Sequence, residues 1–145
     1  AAEKKHDKSG KSIVNKLEEC GVPNINYHII PDEKDDLQNL VNSSLEEGSK
    51  LIITTGGTGL SPRDITPESL LPMLDVEIPG IMEAARSYGQ ERTPYSMLSR
   101  GIAGLINDTL VLALPGSTKG ASESMDALFP YILHIYKVIK GRRHD

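Results

Sequence analysis

The sequence predicts a single α/β domain with a doubly wound, mostly parallel sheet and helices on both faces. Two segments, residues 50–55 and 109–114, are apolar throughout, which is typical of strands buried on both faces of a parallel sheet. Around them, apolar residues recur at helical spacing, so that helices and strands alternate along the chain. The length of 145 residues is that of one domain, which we place at residues 1–145.

The composition restricts the classes of function. The chain has 16 Lys and Arg against 20 Asp and Glu, a net charge of −4, so it does not attract nucleic acid or anionic lipid as a whole. Its one cysteine, Cys20, has no partner for an internal disulfide. No apolar run reaches the roughly 18 residues of a membrane span. We therefore expect a cytoplasmic protein with no nucleic-acid or membrane partner.

The first predicted element is an amphipathic helix that ends at Gly21, with Ser9 or Ser12 as its N-cap. A doubly wound sheet normally opens with a strand before its first helix, and this sequence has none. We therefore expect the expressed protein to contain residues upstream of Ala1 that form an apolar strand, so the first strand of the fold is missing from this sequence.

The next elements are a strand, a helix and a second strand. Residues 26–30 are rich in Tyr and Ile and predict a short strand. An apolar stripe at helical spacing then predicts a helix over residues 33–47, which ends at Gly48. The apolar strand 50–55 follows directly.

The centre of the chain is predicted to be mainly helical. Thr66 is expected to cap a helix that has Pro67 at its first position, and Pro72 keeps this helix short or kinked. Another helix extends from about residue 79 to residue 88. Residues 89–108 give no clear prediction, apart from a turn at their end.

The last element is a long helix that follows strand 109–114. Its apolar positions between residues 125 and 139 recur at helical spacing. We expect Pro130 to kink this helix and Gly141 to end it.

Both apolar strands end in a glycine-containing turn that leads into a helix. In open parallel sheets, ligands bind outside the carboxyl ends of the strands. Glycines let backbone N–H groups approach an anion, and a helix N-terminus adds positive charge. We predict that the two turns flank one phosphate site. For either turn alone, the alternative is structural: the glycines only make tight turns, and Ser117 only caps the helix that follows. The first turn consists of Gly56, Gly57, Thr58 and Gly59, and the second turn consists of Pro115, Gly116 and Ser117.

Two aspartates follow predicted strands and are candidates for binding a divalent cation. Asp64 lies at the rim of the first glycine turn, where a carboxylate beside phosphate is stable if a cation bridges the two. The alternative is that Asp64 pairs with Arg63 or with the following helix N-terminus. Asp32 follows strand 26–30, and its alternative role is to cap the helix that begins after it.

Four segments of the sequence are distinctive when taken together: IIPDE at 29–33, TTGGTGLSPRDITPE at 54–68, MLSR at 97–100 and LPGSTKG at 114–120. In this order they resemble the molybdenum cofactor biosynthesis family, in particular its MogA-type molybdopterin adenylyltransferases and the G domain of gephyrin. The resemblance covers essentially the whole chain, from the DKSG of residues 7–10 to the last helix. The family begins with a strand that ends in Ser and Asp and contributes to the pocket, and this strand is absent here.

The resemblance implies a homotrimer that transfers AMP from Mg-ATP to the terminal phosphate of molybdopterin and releases pyrophosphate. It implies that Asp64 and Asp32 are the catalytic, Mg²⁺-binding aspartates, and that the turn at 56–59 belongs to the site. Ser99, together with residues 115–117, corresponds to positions that line the pterin and nucleotide pocket. A downstream molybdenum-insertion enzyme is an implied partner.

Two other functions remain open from the sequence. One is a non-catalytic molybdopterin-binding protein or trimeric scaffold of the same family. The other is a generic phosphate-binding regulatory domain of flavodoxin-like topology.

Overall fold

The computed structural model describes residues 7–144 and contains a four-stranded sheet. The strands are β1 (Leu51–Thr55), β2 (Val76–Glu77), β3 (Ala103–Ile106) and β4 (Thr109–Leu114). The α-helices are α1 (Lys8–Glu19), α2 (Lys34–Glu46), α3 (Thr66–Leu70), α4 (Pro79–Gln90), α5 (Thr118–Leu128) and α6 (Ile135–His144). Short 3₁₀ turns lie at Leu71–Met73, Ser96–Leu98 and Tyr131–His134. Within residues 7–144, no helix combines the length and apolar character needed to cross a membrane.

The sheet has the order β1-β4-β3-β2. β1 and β4 are parallel and in register from Leu51 opposite Leu110 to Thr55 opposite Leu114. The predicted strands at 50–55 and 109–114 are therefore confirmed. β3 pairs antiparallel with both β4 and β2. Parallel neighbours place the ends of β1 and β4 at the same edge of the sheet, which positions the site described below.

Strand β4 shows why this is an α/β fold with helices on both faces. Its alternate leucines, from Leu110 to Leu114, pack into a core with α1, α4, α5 and α6. Val111 and Ala113 between them point to the opposite face and pack with α2 and α3. Successive strand residues alternate between faces, so an unbroken apolar strand needs both helical layers. The predicted α/β class with helices on both faces is confirmed, and among the described strands the pairing of β1 with β4 is the parallel one.

Replacing Leu112 with alanine is expected to lower the free energy of unfolding by about 2–5 kcal/mol. The side chain is 0% exposed, so its removal costs both apolar burial and a cavity in the larger core. Val138→Ala is the control, because Val138 is 56% exposed and its loss is expected to change stability by less than about 0.5 kcal/mol. Urea denaturation of both variants measures the difference. Equal losses would contradict the core assignment.

The N-cap predicted for α1 is wrong, whereas its end is confirmed. Asp7 is the cap, because its carboxylate accepts a hydrogen bond from the Gly10 N–H at 3.1 Å. Ser9 lies inside the helix, where its hydroxyl bonds to a distant turn. Ser12 lies further along the same helix. The chain leaves α1 at Gly21, whose φ of 78° suits glycine.

The strand predicted at residues 26–30 is wrong. The segment is not paired with any described strand, and Tyr27 and Ile29 are more than a third exposed. A strand requires a neighbour for its backbone hydrogen bonds, which the periodicity of a sequence does not reveal. Between this segment and β1 lies an open groove of about 1640 Å³. The predicted upstream strand lies outside the described residues and stays a prediction.

The long helix predicted after β4 is divided into two. α5 ends before Phe129, which is extended with φ −102° and ψ 141°. Proline disfavours the helical conformation of the residue before it, so Pro130 ends the helix instead of kinking it. Gly141 is not the end of the last helix, because α6 continues to His144.

The region without a clear prediction contains β3. The predicted turn at residues 107–108 is confirmed, and it joins β3 to β4 in a hairpin with Asn107 at φ 52°. β3 has the sequence AGLI and is buried throughout. A four-residue strand that contains glycine has too little pattern to be recognised from sequence alone.

Candidate functional site

The two glycine turns predicted from the sequence touch each other at one end of the sheet. The Gly56 N–H donates to the Leu114 carbonyl at 3.0 Å, directly beyond the last pair of parallel residues. A Cβ atom placed on Gly116 would lie 3.0 Å from the Gly56 Cα. The predicted juxtaposition of the turns is confirmed. Ligand binding at this place stays a prediction.

The first turn requires glycine at two successive positions. Gly56 and Gly57 have φ values of 98° and 70°, in the left-handed region that side chains rarely adopt. Thr66 fixes both residues, because its hydroxyl donates to the Gly56 carbonyl at 3.0 Å and its N–H donates to the Gly57 carbonyl at 3.1 Å. A Cβ on Gly57 would lie 2.2 Å from the Thr66 hydroxyl. The turn therefore has no room for a side chain there.

The sequence predicts Thr66 as the N-cap of α3, and this prediction is wrong. Ile65 occupies that position, and Thr66 is the first helical residue, followed by Pro67. The Thr66 hydroxyl donates to the Gly56 carbonyl, and no side chain makes a capping hydrogen bond at the start of α3. A contact between distant residues thus replaces the local one that the sequence suggests. The predicted shortness of the helix before Pro72 is confirmed.

Replacing Thr66 with valine is expected to lower stability by about 1–3 kcal/mol, because the Gly56 carbonyl loses its hydroxyl partner while the side-chain shape is kept. Thr93→Val is the matched control. The buried Thr93 hydroxyl has no hydrogen-bond partner among the described residues, so its loss is expected to be neutral or stabilising. Denaturant unfolding of the two variants gives the comparison. A Thr66→Val protein as stable as the control would contradict this role.

Asp64 closes the loop that follows the first turn. Its Oδ2 accepts a hydrogen bond from the Ser61 N–H at 2.9 Å, and the Asp64 N–H donates to the Ser61 carbonyl at 2.9 Å. The same oxygen would lie 2.8 Å from a Cβ on Gly59. The alternative roles, an ion pair with Arg63 or a cap on α3, are not found among the described residues. Asp64 is half-buried beside the glycine turn, at the rim where the sequence predicts it.

Asp32 does not cap the helix that follows it. The N-cap position of α2 belongs to Glu33, and no side chain makes a capping hydrogen bond there. Asp32 is exposed and lines the open groove, together with Gly56 and Ser117. Asp64 is not among the residues that line this groove. The structure brings Asp32 to the groove, but it records no contact between the two aspartates.

Thr58 and Ser99 meet beside the first turn, although 41 positions separate them in the sequence. Their hydroxyl oxygens lie 3.4 Å apart, with Thr58 buried and Ser99 half-buried. The Arg100 N–H donates to the Thr58 carbonyl at 2.8 Å. The segment that contains Ser99 is therefore attached to the glycine turn, and its role in a ligand pocket stays a prediction.

The second turn leads into α5, and Ser117 is its cap. The Ser117 hydroxyl accepts a hydrogen bond from the Gly120 N–H at 3.0 Å. The alternative structural role of Ser117 is thus confirmed. The first N–H groups of a helix have no partners within the helix, and Ser117 binds one of them, that of Gly120, which leaves the N–H groups before Gly120 as the donors proposed for an anion.

Two hydroxyls fix this second turn through contacts that the sequence alone does not predict. Thr55, at the end of β1, donates to the Pro115 carbonyl at 2.7 Å. Ser9, in α1, donates to the Gly116 carbonyl at 2.7 Å. The sequence indicated Ser9 only as a helix-cap candidate and as part of the DKSG segment at the start of α1.

The described residues do not form a complete protein cage for a metal. Within residues 7–144, no group of three or more His, Cys, Asp or Glu side chains is arranged to hold one. Mg²⁺, however, is commonly bound by one or two carboxylates together with the phosphates of a substrate. The carboxylate of Asp64 fits that kind of site, since only its Oδ2 accepts a protein hydrogen bond among the described contacts.

The match to a family model decides between the possible classes of protein. The model, described as "Probable molybdopterin binding domain", matches residues 1–134. The chain belongs to this family. Membership confirms the resemblance in the motifs, and it leaves the flavodoxin-like regulatory domain without support.

Similar members of the family are named for molybdenum cofactor biosynthesis. The molybdopterin adenylyltransferase of Helicobacter pylori strain J99 is 36% identical in an alignment of 138 positions that covers 93% of this chain and 78% of that protein. The molybdenum cofactor biosynthesis bifunctional protein of Chlorobaculum tepidum is 37% identical over 95% of this chain and 44% of that protein. The chain spans less than half the length of the first curated relatives it matches.

The fold is also that of solved structures in this family. The crystal structure of the molybdopterin biosynthesis enzyme MoaB from Thermus thermophilus is similar, with a TM-score of 0.85 and 40% identity. The similarity covers 93% of this chain and 86% of the other.

Proposed function

We propose that this domain acts in molybdenum cofactor biosynthesis by transferring AMP from ATP to the terminal phosphate of molybdopterin. An oxygen of that phosphate forms a bond to the α-phosphorus of ATP, and the bond from this phosphorus to the oxygen that bridges to the β-phosphate breaks. Pyrophosphate leaves. The observation that carries the proposal is the close approach of the two turns at Gly56 and Gly116, with Asp64 beside Gly59 of the first turn. The names of the relatives support the choice of substrates.

Transfer between two phosphates needs positioning and neutralisation of charge rather than a protein nucleophile. The substrate phosphate supplies the attacking oxygen, so no serine, cysteine or histidine is required to form a covalent intermediate. Backbone N–H groups of the turns at 56–59 and 115–117 and the N-terminus of α5 provide positive potential. They provide it locally, which suits a chain whose net charge is −4.

The hydroxyls of Thr58 and Ser99 add polar contacts beside the first turn. They lie 3.4 Å apart, close enough to bind one ligand group together. The contacts of Ser9 and Thr55 with the second turn fix its carbonyls, so its N–H groups are held in place before the substrate arrives. A site that is preorganised in this way loses less free energy on binding.

Asp64 and Asp32 are the proposed carboxylates for Mg²⁺, which, when bound, neutralises the charge of the phosphates. Asp64 keeps its position through the Ser61 N–H and has a second oxygen for the cation. Asp32 is exposed and lines the same open groove as Gly56.

A binding or scaffold role without transfer is the second candidate. Two observations favour it: Ser117 caps α5, and Asp64 closes its own loop, so each residue has a structural role independent of chemistry. A protein of this kind binds molybdopterin without releasing pyrophosphate from ATP.

A homotrimer and an encounter with a molybdenum-insertion enzyme are further parts of the proposal, carried by the family resemblance. Analytical ultracentrifugation at micromolar concentration is expected to give a mass near three times 15.8 kDa for this chain. A monomer under these conditions would contradict the trimer.

The deciding experiment is incubation of the protein with ATP, MgCl₂ and molybdopterin. Mass spectrometry is expected to detect adenylylated molybdopterin, and a coupled assay is expected to detect an equal amount of pyrophosphate. Omission of the pterin is the control for simple ATP hydrolysis. Binding of molybdopterin by calorimetry with no pyrophosphate would reject transfer and favour the second candidate.

A further inference from the structure

Arg100 connects the glycine turn to the loop that carries Asp64. Its Nε donates to the Gly59 carbonyl at 2.8 Å, and its Nη2 donates to the Asp64 carbonyl, also at 2.8 Å. Its backbone N–H bonds to the Thr58 carbonyl at 2.8 Å. One residue therefore fixes three points along the segment from the turn to the candidate metal ligand.

Glu68 binds most of the N–H donors of the Arg100 guanidinium that the two carbonyls leave free. Both Nη atoms of Arg100 contact the Glu68 carboxylate, and this hydrogen bond lowers the pKa of Glu68. Four of the five N–H donors of an arginine are thus engaged by protein groups. The charge of Arg100 is matched within the protein, so it is poorly suited to be the principal cation for a substrate phosphate.

Arg86 holds the chain on both sides of Arg100. Its Nη1 donates to the Ser99 carbonyl at 3.3 Å and to the Gly101 carbonyl at 3.1 Å. Arg86 belongs to α4, which packs against the core through Met82 and Ala85. Helix α4 thereby fixes the position of the backbone at Arg100, and the side chain of Arg100 fixes the position of the loop that carries Asp64.

We infer that Arg100, supported by Arg86, is a positioning residue that places the Asp64 carboxylate relative to the two glycine turns. The expected change in kcat rests on the proposed function, whereas the expected effect on the position of the loop does not. The geometry requires the planar fork of arginine, because Nε and Nη2 reach two carbonyls, those of Gly59 and Asp64, in fixed directions. The single ammonium of lysine cannot reproduce this pair of bonds.

Arg100→Lys keeps the charge and removes the fork. We expect kcat for AMP transfer to fall by about tenfold to a hundredfold, because displacing a catalytic group by about 1 Å causes a rate loss of this size. KM for molybdopterin is expected to stay nearly unchanged. Glu68→Gln is the matched control, because it alters the exposed ion pair and leaves the carbonyl bonds of Arg100 intact; its kcat is expected to stay near the wild-type value. An increase in KM without loss of kcat would overturn the inference in favour of direct substrate contact. Full activity of Arg100→Lys would overturn it too.

Amide hydrogen exchange gives a readout that needs no enzymatic activity. Peptides covering residues 57–64 are expected to exchange faster in Arg100→Lys than in wild type, while Glu68→Gln stays close to wild type. If Arg100→Lys does not fold, Arg86→Lys replaces it and is expected to increase exchange in the same peptides. Unchanged exchange overturns the inference. If wild-type protein transfers no AMP, the proposed function fails while the exchange comparison still tests the positioning role.

Discussion

Replacing Asp64 with asparagine is expected to lower the rate of AMP transfer by about two to three orders of magnitude, comparable to the loss of a key electrostatic group. The substitution removes the negative charge that holds Mg²⁺. It keeps a side-chain oxygen that accepts the hydrogen bond from the Ser61 N–H. The melting temperature is therefore expected to change little. Pyrophosphate release and thermal unfolding measured on the same preparation separate the two effects.

Asp75→Asn is the matched control for this variant. Asp75 also accepts a backbone hydrogen bond, from the Asn107 N–H at 2.6 Å, but it lies beside the β3–β4 turn, away from the glycine turns. Its activity is expected to equal that of wild type. Near-normal turnover of Asp64→Asn would remove Asp64 from the catalytic site and leave it as the residue that closes its loop.

Asp32→Asn tests whether both aspartates hold the cation. A loss similar to that of Asp64→Asn supports a shared Mg²⁺ site, although the structure records no contact between the two side chains. An unaffected rate would leave Asp64 as the single carboxylate ligand.

Replacing Gly116 with valine is expected to weaken the binding of Mg-ATP or molybdopterin by about tenfold or more, which corresponds to about 1.4 kcal/mol. A Cβ at this position already lies 3.0 Å from the Gly56 Cα, so the two turns must separate. The added methyl groups also obstruct the approach of an anion to the start of α5. The overpacking is expected to cost about 1–3 kcal/mol of stability without unfolding the protein. Isothermal titration calorimetry measures the affinity.

Gly80→Val is the control, because a Cβ on Gly80, in the first turn of α4, meets nothing within 4 Å. It introduces the same side chain without touching the site. Gly116→Ala is expected to fall between wild type and Gly116→Val. A folded Gly116→Val protein with wild-type affinity would show that the second turn does not bind substrate.

Much of the site was predictable because it depends on local sequence. The strand β1 and the turn at 56–59 follow from an apolar run that ends in glycines, and parallel strands carry such ends to one edge. The contact of Gly56 with Gly116 is the consequence of that rule, given that β1 and β4 are neighbours. The prediction needed only strand direction and adjacency.

The incorrect predictions concern places where distant groups compete with local ones. Thr66 and Ser9 have residue types that favour helix caps, but their hydroxyls bond to Gly56 and Gly116 instead. Residues 26–30 have the composition of a strand, yet no described strand pairs with them. Hydrogen-bond partners that lie ten or more residues away leave no trace in a short window of sequence.

The α/β class, the two parallel strands, the glycine turns at their ends and the family of the chain can all be recognised in the amino-acid sequence. How these parts are held became visible in the folded chain: Thr66 fixes the first turn, Ser9 and Thr55 fix the second, and Arg100 spans the loop of Asp64. The difference arises because apolar periodicity and glycine conformations are properties of neighbouring residues. The hydrogen bonds that fix a site join residues that only the packing of helices on a sheet brings together.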